Sequence, residues 1–223
     1  MAAFRAVLTA ALLCGIAASQ HLVSFATEDG AQVYGDLYGK GDRAVVLVPG
    51  GRFNKESWEK QALELAAAGF RTLAMNYRGE GPSNADVSRR SMDGPRHLDV
   101  LGAVDYLRRT GAKSVSVVGA SMGGDYAADA AEAEPAAIDR IVLLASGAYT
   151  PLARMKGPKL FILARDDSNG AGPRLPDIRA QYDKALEPKQ LVILDGSAHA
   201  QFLFETDQGG RVMREIVRFL AAL

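Results

Sequence analysis

The chain carries one cysteine, Cys14, and three histidines in 223 residues. A lone cysteine excludes an internal disulfide framework and any multi-cysteine zinc or iron–sulfur site. So few histidines leave little from which to build a metal cluster, and neither a metal nor another cofactor is expected. Charge of one sign is lacking too, since Lys plus Arg and Asp plus Glu are 26 each. No net field then exists to hold a polyanion by counterion release, which removes nucleic acid as a first partner. The apolar run Ala6 to Ala18, broken only by Thr9, falls short of the roughly 20 residues that a spanning helix requires, so stable membrane insertion is not expected. Behind Arg5 and ahead of Ala17-Ala18-Ser19, the same run has the charge, length and small-residue exit of a signal peptide. Residues 1–20 are therefore expected to be removed near Ser19, with a secreted or periplasmic product; without cleavage the product would be cytoplasmic. Leu13 stands where a lipobox wants a small residue before its cysteine, so lipidation of Cys14 is set aside.

What is present is a globular composition, 48% hydrophobic and 23% charged, at a length that suits one domain over residues 21–223. Two short strand patterns around Glu28-Asp29-Gly30 read as a hairpin. After them, apolar strands alternate with helical segments. Ala44 to Val48, Phe70 to Met75, Val115 to Val118, Ile141 to Ala145, Lys159 to Ala164 and Leu191 to Leu194 lack polar alternation, as strands covered on both faces do. Helices are expected from Trp58 to Ala68, around Leu98 to Leu107, in the alanine-rich stretch to Ala133, and at the end, where Val212, Ile216, Phe219 and Leu223 share one face. The rhythm predicts an α/β fold: a mostly parallel, doubly wound sheet with helices on both faces.

Gly119-Ala120-Ser121-Met122-Gly123 is a G-x-S-x-G pattern where a strand ends and a helix begins. At such an elbow the serine sits in a strained turn, and small neighbours are needed because strand and helix backbones crowd together. The helix start also aims free N–H groups at the site, so the Met122 amide is a candidate oxyanion donor. A serine capping a helix in a glycine-rich turn is common, so the nucleophile reading needs a base and an acid. His21 lies at the expected processing site and His97 opens a helix, which leaves His199, in the loop after Leu191 to Leu194. The acid is expected after Lys159 to Ala164, where Asp166 and Asp167 compete. Successive residues leaving a strand point to opposite sides, so one of them faces His199. The order Ser121, aspartate, His199 is that of the hydrolase elbow.

These motifs, with Val45-Val46-Leu47-Val48-Pro49-Gly50-Gly51 and Asn76-Tyr77-Arg78-Gly79-Glu80-Gly81-Pro82-Ser83, resemble the α/β-hydrolase superfamily from about residue 23 to the end. The first segment is similar to the family's oxyanion loop, with Pro49 in place of its usual histidine. The resemblance implies Gly51 as the second oxyanion donor beside Met122, with Arg52 as the alternative. It also places the family's Gly-x-x-Asp on Ala164 to Asp167, which selects Asp167. The family's lid usually enters after the strand Ile141 to Ala145. Ala148 to Pro158 is too short for a helical lid, so a lidless site is expected, covered by Arg52 to Glu56, Tyr149 to Leu152 and Ser168 to Pro176. Arg52 and Arg174 read as solvated loop charges, with contact to an anionic substrate group as the alternative. The function implied is a cofactor-independent serine hydrolase with a Ser-His-Asp triad, a carboxylesterase for small-molecule esters. The alternatives are a thioesterase, peptidase or acyltransferase on the same groups, or a catalytically silent binding protein.

Overall fold

The computed structural model describes residues 20–81, 95–147, 150 and 152–222. Residues 1–19 of the expected signal peptide, Pro82, Ser83, Ala148, Tyr149 and Pro151 of the expected loops, and Leu223 of the expected last helix lie outside them. Strands β1 (His21–Ala26), β2 (Gln32–Tyr38), β3 (Arg43–Val48), β4 (Arg71–Met75), β5 (Ser114–Ala120), β6 (Arg140–Leu144) and β7 (Lys159–Ala164) lead to a two-stranded hairpin, β8 (Ser168–Asn169) and β9 (Gly172–Pro173), and then to β10 (Lys189–Leu194). Among them run α1 (Glu59–Ala67), α2 (Arg96–Arg109), α3 (Met122–Ala133), α4 (Leu175–Lys184) and α5 (Gly209–Ala221). The main sheet has eight strands in the order β1-β2-β4-β3-β5-β6-β7-β10. Only the pairings made by β2 are antiparallel; the others are parallel.

Strands without polar alternation feed two cores at once. Val46, Val48, Val117, Ile141, Leu143, Phe161 and Leu163 pack on the side of α2 and α3, while their neighbours Val45, Leu47, Val118, Val142, Leu144, Leu160 and Ile162 pack on the side of α1 and α5. The two-residue period of a strand makes this division unavoidable. In α5, Val212, Ile216 and Phe219 are all buried, each contributing on the order of 1.5–3 kcal/mol by leaving water.

Four local features differ from the sequence reading. Trp58 closes a 3₁₀ turn, Lys55–Trp58, and α1 starts only at Glu59. A second 3₁₀ segment, Ala200–Glu205, follows His199. The hairpin β8–β9 and helix α4 were not foreseen: α4 buries only Ile178, and a one-residue stripe leaves almost no periodic signal.

Candidate active site

Ser121 lies between β5 and α3 with φ 49° and ψ −122°, a backbone region that non-glycine residues rarely occupy. The glycines around it leave no alternative. A side-chain carbon at Gly119 would stand 2.5 Å from the carbonyl oxygen of Gly123, and one at Gly123 would stand 2.5 Å from those of Val48 and Pro49. At Gly124 it would meet Ser146 Cβ at 2.5 Å. The elbow is thus wedged between β3 and β6, which fixes the direction of the serine side chain.

His199 follows β10 and reaches across to the elbow. Its Nε2 is 2.8 Å from Ser121 Oγ, and its Nδ1 is 2.7 Å from Asp167 Oδ2. Asp167 is 1% exposed, whereas Asp166 is exposed and uses its amide to donate to the Gly196 carbonyl at 2.9 Å. Of the two aspartates, Asp167 is the one brought to the histidine. Its second oxygen, Oδ1, has no hydrogen-bond partner but faces Arg174 Nε at 3.6 Å. Arg174 is therefore more than a solvated loop charge, while Arg52 is exposed.

The loop after β3 comes to the other side of Ser121. A side-chain carbon at Gly51 would stand 3.3 Å from Met122 Sδ, so the two expected oxyanion donors are neighbours. Met122 is the first residue of α3, where an amide has no intrahelical acceptor. Tyr77, fully buried, donates its hydroxyl to the Pro49 carbonyl at 2.7 Å. Burial pushes the Tyr77 hydroxyl well above its ordinary pKa, which keeps it a permanent donor. The turn bearing Tyr77 is tied down by Arg78, which donates to Asp99 through Nε at 2.7 Å and through its amide at 2.9 Å. The same guanidinium reaches Asp29 with Nη1 at 2.5 Å and Nη2 at 3.0 Å. Hydrogen bonding from Arg78 holds the Asp29 carboxyl down at about 2, while burial raises that of Asp99.

A cavity of about 330 Å³ opens beside Ser121. Its walls are the segment after β6 (Ala145, Ser146, Gly147), the β8–β9 hairpin, and α4 with Ile178 and Gln181. Asp125 and Asp177 line it, as do Arg174 and Lys184, so neither sign of charge prevails. Ser146 Oγ donates to Asp125 Oδ1 at 2.7 Å. Asp125 lies one helical turn after Ser121, and that spacing was the available sequence signal for its place at the site; Gln181 carried none. Among the described residues no group of three or more His, Cys, Asp or Glu side chains could hold a metal, and no helix is long and apolar enough to cross a membrane.

A model of the alpha/beta hydrolase fold family matches residues 43–220. The chain belongs to that family. This alpha/beta hydrolase is 31% identical over 117 residues to a 2-hydroxy-6-oxononadienedioate/2-hydroxy-6-oxononatrienedioate hydrolase of Pseudomonas putida, a match that takes in 51% of this chain and 40% of that protein. It superposes with a TM-score of 0.75 on an esterase of Pyrococcus furiosus, at 18% identity and over 92% of each chain. An esterase from Rhodococcus sp. ECU1013 gives 0.73 at 17% identity, over 91% of this chain and 99% of that one. At such identities the two esterases establish the shared fold.

Proposed function

We propose that this alpha/beta hydrolase is a serine hydrolase that cleaves small carboxylic esters through an acyl-enzyme. The observation that carries the reading is the series Ser121 Oγ, His199 Nε2 and Nδ1, Asp167 Oδ2, joined at 2.8 and 2.7 Å at the edge of a cavity. Ser121 attacks the ester carbonyl while His199 Nε2 takes its proton, and Asp167 holds Nδ1–H and stabilises the imidazolium. The amides of Gly51 and Met122 receive the negative charge that develops on the carbonyl oxygen, each worth roughly 10²–10³ in rate. His199 returns its proton to the leaving alkoxide, and water repeats the cycle on the acyl-enzyme. No cofactor enters any step.

About 330 Å³ is at the small end of ligand pockets, which favours short acyl groups. The Pseudomonas relative acts on a dioate; here two acids balance two bases around the cavity, which supports uncharged esters ahead of a dianion. The leader-like residues 1–20 support export, to be checked by fractionation. The deciding experiment is labelling with a fluorophosphonate probe, wild type against Ser121→Ala, followed by a panel of acyl esters, thioesters, peptides and a dioate. Ser121-dependent labelling with fastest turnover of short-chain esters is expected. An unlabelled wild type would leave the silent binding protein as the reading, and preference for another member of the panel would replace the ester.

A further inference from the structure

We infer that Gln201 is a positioning residue that locks the oxyanion loop to the loop of the catalytic histidine, an inference that rests on the serine hydrolase reading for its catalytic part. Gln201 is 4% exposed and stands two residues after His199. Its Oε1 accepts from the Gly50 amide at 3.3 Å, and its Nε2 donates to Ser57 Oγ at 3.0 Å. Ser57 Oγ in turn donates to the Asn54 carbonyl at 2.5 Å. The Gly50 amide fixes the orientation of the side chain, since the opposite one would set two donors against each other. One buried carboxamide thus spans both ends of the loop 50–57.

Two further observations show that the span is built. Ala200, between His199 and Gln201, has φ +55° and is 1% exposed, a costly conformation for a residue with a Cβ. That turn sends His199 toward Ser121 and Gln201 under the neighbouring loop. The rings of Phe202 and Phe53 meet at 5.1 Å, and those of Phe204 and Trp58 at 5.8 Å, so the two loops are clasped along their length. The consequence falls on Gly51, whose amide follows directly on the anchored Gly50. A donor placed for a developing oxyanion must be held before the charge appears. Loosening it therefore weakens transition-state binding more than substrate binding.

The test compares wild type with Gln201→Leu, Gln201→Glu and Ser57→Ala. Glutamate keeps an acceptor for Gly50, and Ser57 Oγ can turn its single proton from the Asn54 carbonyl to the carboxylate, so it is the conservative rescue. For Gln201→Leu, kcat on a short-chain ester should fall about 10- to 100-fold with KM held within about twofold. The inhibition constant of an alkylboronic acid, a tetrahedral mimic, should rise in step. Gln201→Glu and Ser57→Ala should each stay within about fivefold of wild type, because the Gly50 anchor persists. Amide hydrogen exchange in residues 49–58 should quicken in Gln201→Leu, a readout that needs no activity. Wild-type kcat and unchanged exchange in Gln201→Leu would overturn the inference, as would equal losses in all three variants that follow their melting temperatures. An inert wild type whose 49–58 exchange still depends on Gln201 would overturn the esterase reading and keep the coupling.

Discussion

At the amino ends of the parallel strands the backbone is met by long cations, and at their carboxyl ends it turns through strained residues. Arg71, opening β4, donates to the carbonyls of Leu107 and Thr110 at 2.8 and 2.9 Å. Arg140, opening β6, reaches Ala222 at 2.6 Å, and Lys189, opening β10, reaches Asp183 and Ala185 at 3.1 and 3.0 Å. These carbonyls close α2, α5 and α4, where an orphan acceptor and the negative end of the helix dipole both favour a cation. The other edge is the reverse. Ser121, Ala145 and Ala200, with φ 49°, 51° and 55°, are the non-glycine residues with positive φ among those described. All three follow strand ends around the site. Satisfied caps on one edge support strain on the other, a division that keeps stability and chemistry apart.

The largest effect that would sharpen this contrast is expected from Ser121→Gly. Loss of a serine nucleophile lowers kcat by about 10⁶, while relief of the positive φ should raise stability by about 1 kcal/mol. Denaturant titration beside ester hydrolysis reads both, and a less stable glycine variant would show that the elbow is not strained. Next, Asp167→Asn should cost about 10⁴ in kcat. Its neighbour Asp166→Asn should remain within about twofold, because that side chain is exposed and unused. If the two losses were equal, the buried carboxylate would not be the group that orients His199. On the opposite edge, Arg71→Leu should lower stability by about 1 kcal/mol with kcat unchanged; a fall in kcat without a fall in melting temperature would break the separation. The smallest effect belongs to acid. The Asp29 carboxyl, held at about 2 against an ordinary 3.8, favours the folded state above the ordinary value and stops doing so as pH falls through its folded one. Melting temperature should therefore drop between about pH 4 and 2, and Asp29→Asn should flatten that limb. The raised carboxyl of Asp99 acts above 3.8, outside the window. An unchanged acid limb in Asp29→Asn would assign it elsewhere.

The elbow was legible in the sequence because crowding leaves so few residue choices: a Cβ at Gly119, Gly123 or Gly124 would stand 2.5 Å from a neighbouring atom. The six apolar strands were legible because burial on both faces removes polar alternation. Between Asp166 and Asp167 parity alone could not choose, since it says that the two diverge and not which one turns inward. The Asp166 amide bond to Gly196 settles that turn, and it depends on a loop 30 residues on. The roles of Tyr77 and Gln201 were not legible for the same reason: each acts through contacts to residues distant in the chain, and a single polar residue has no period. For Arg174 the place in a loop over the site was legible, but not its approach to Asp167.

Helix α4 and the β8–β9 hairpin line much of the cavity, yet α4 buries only Ile178. They occupy the interval between Asp167 and β10, outside the elbow, the oxyanion loop and the histidine loop. In evolutionary terms that interval is a cassette. Away from Arg174, which faces Asp167, and from Ile178 and Tyr182, which meet the core, its sequence can drift without disturbing Ser121, His199 and Asp167. A library confined to residues 169–184, keeping Arg174, Ile178 and Tyr182, would retune which acyl groups are accepted while leaving the frame of the candidate site intact.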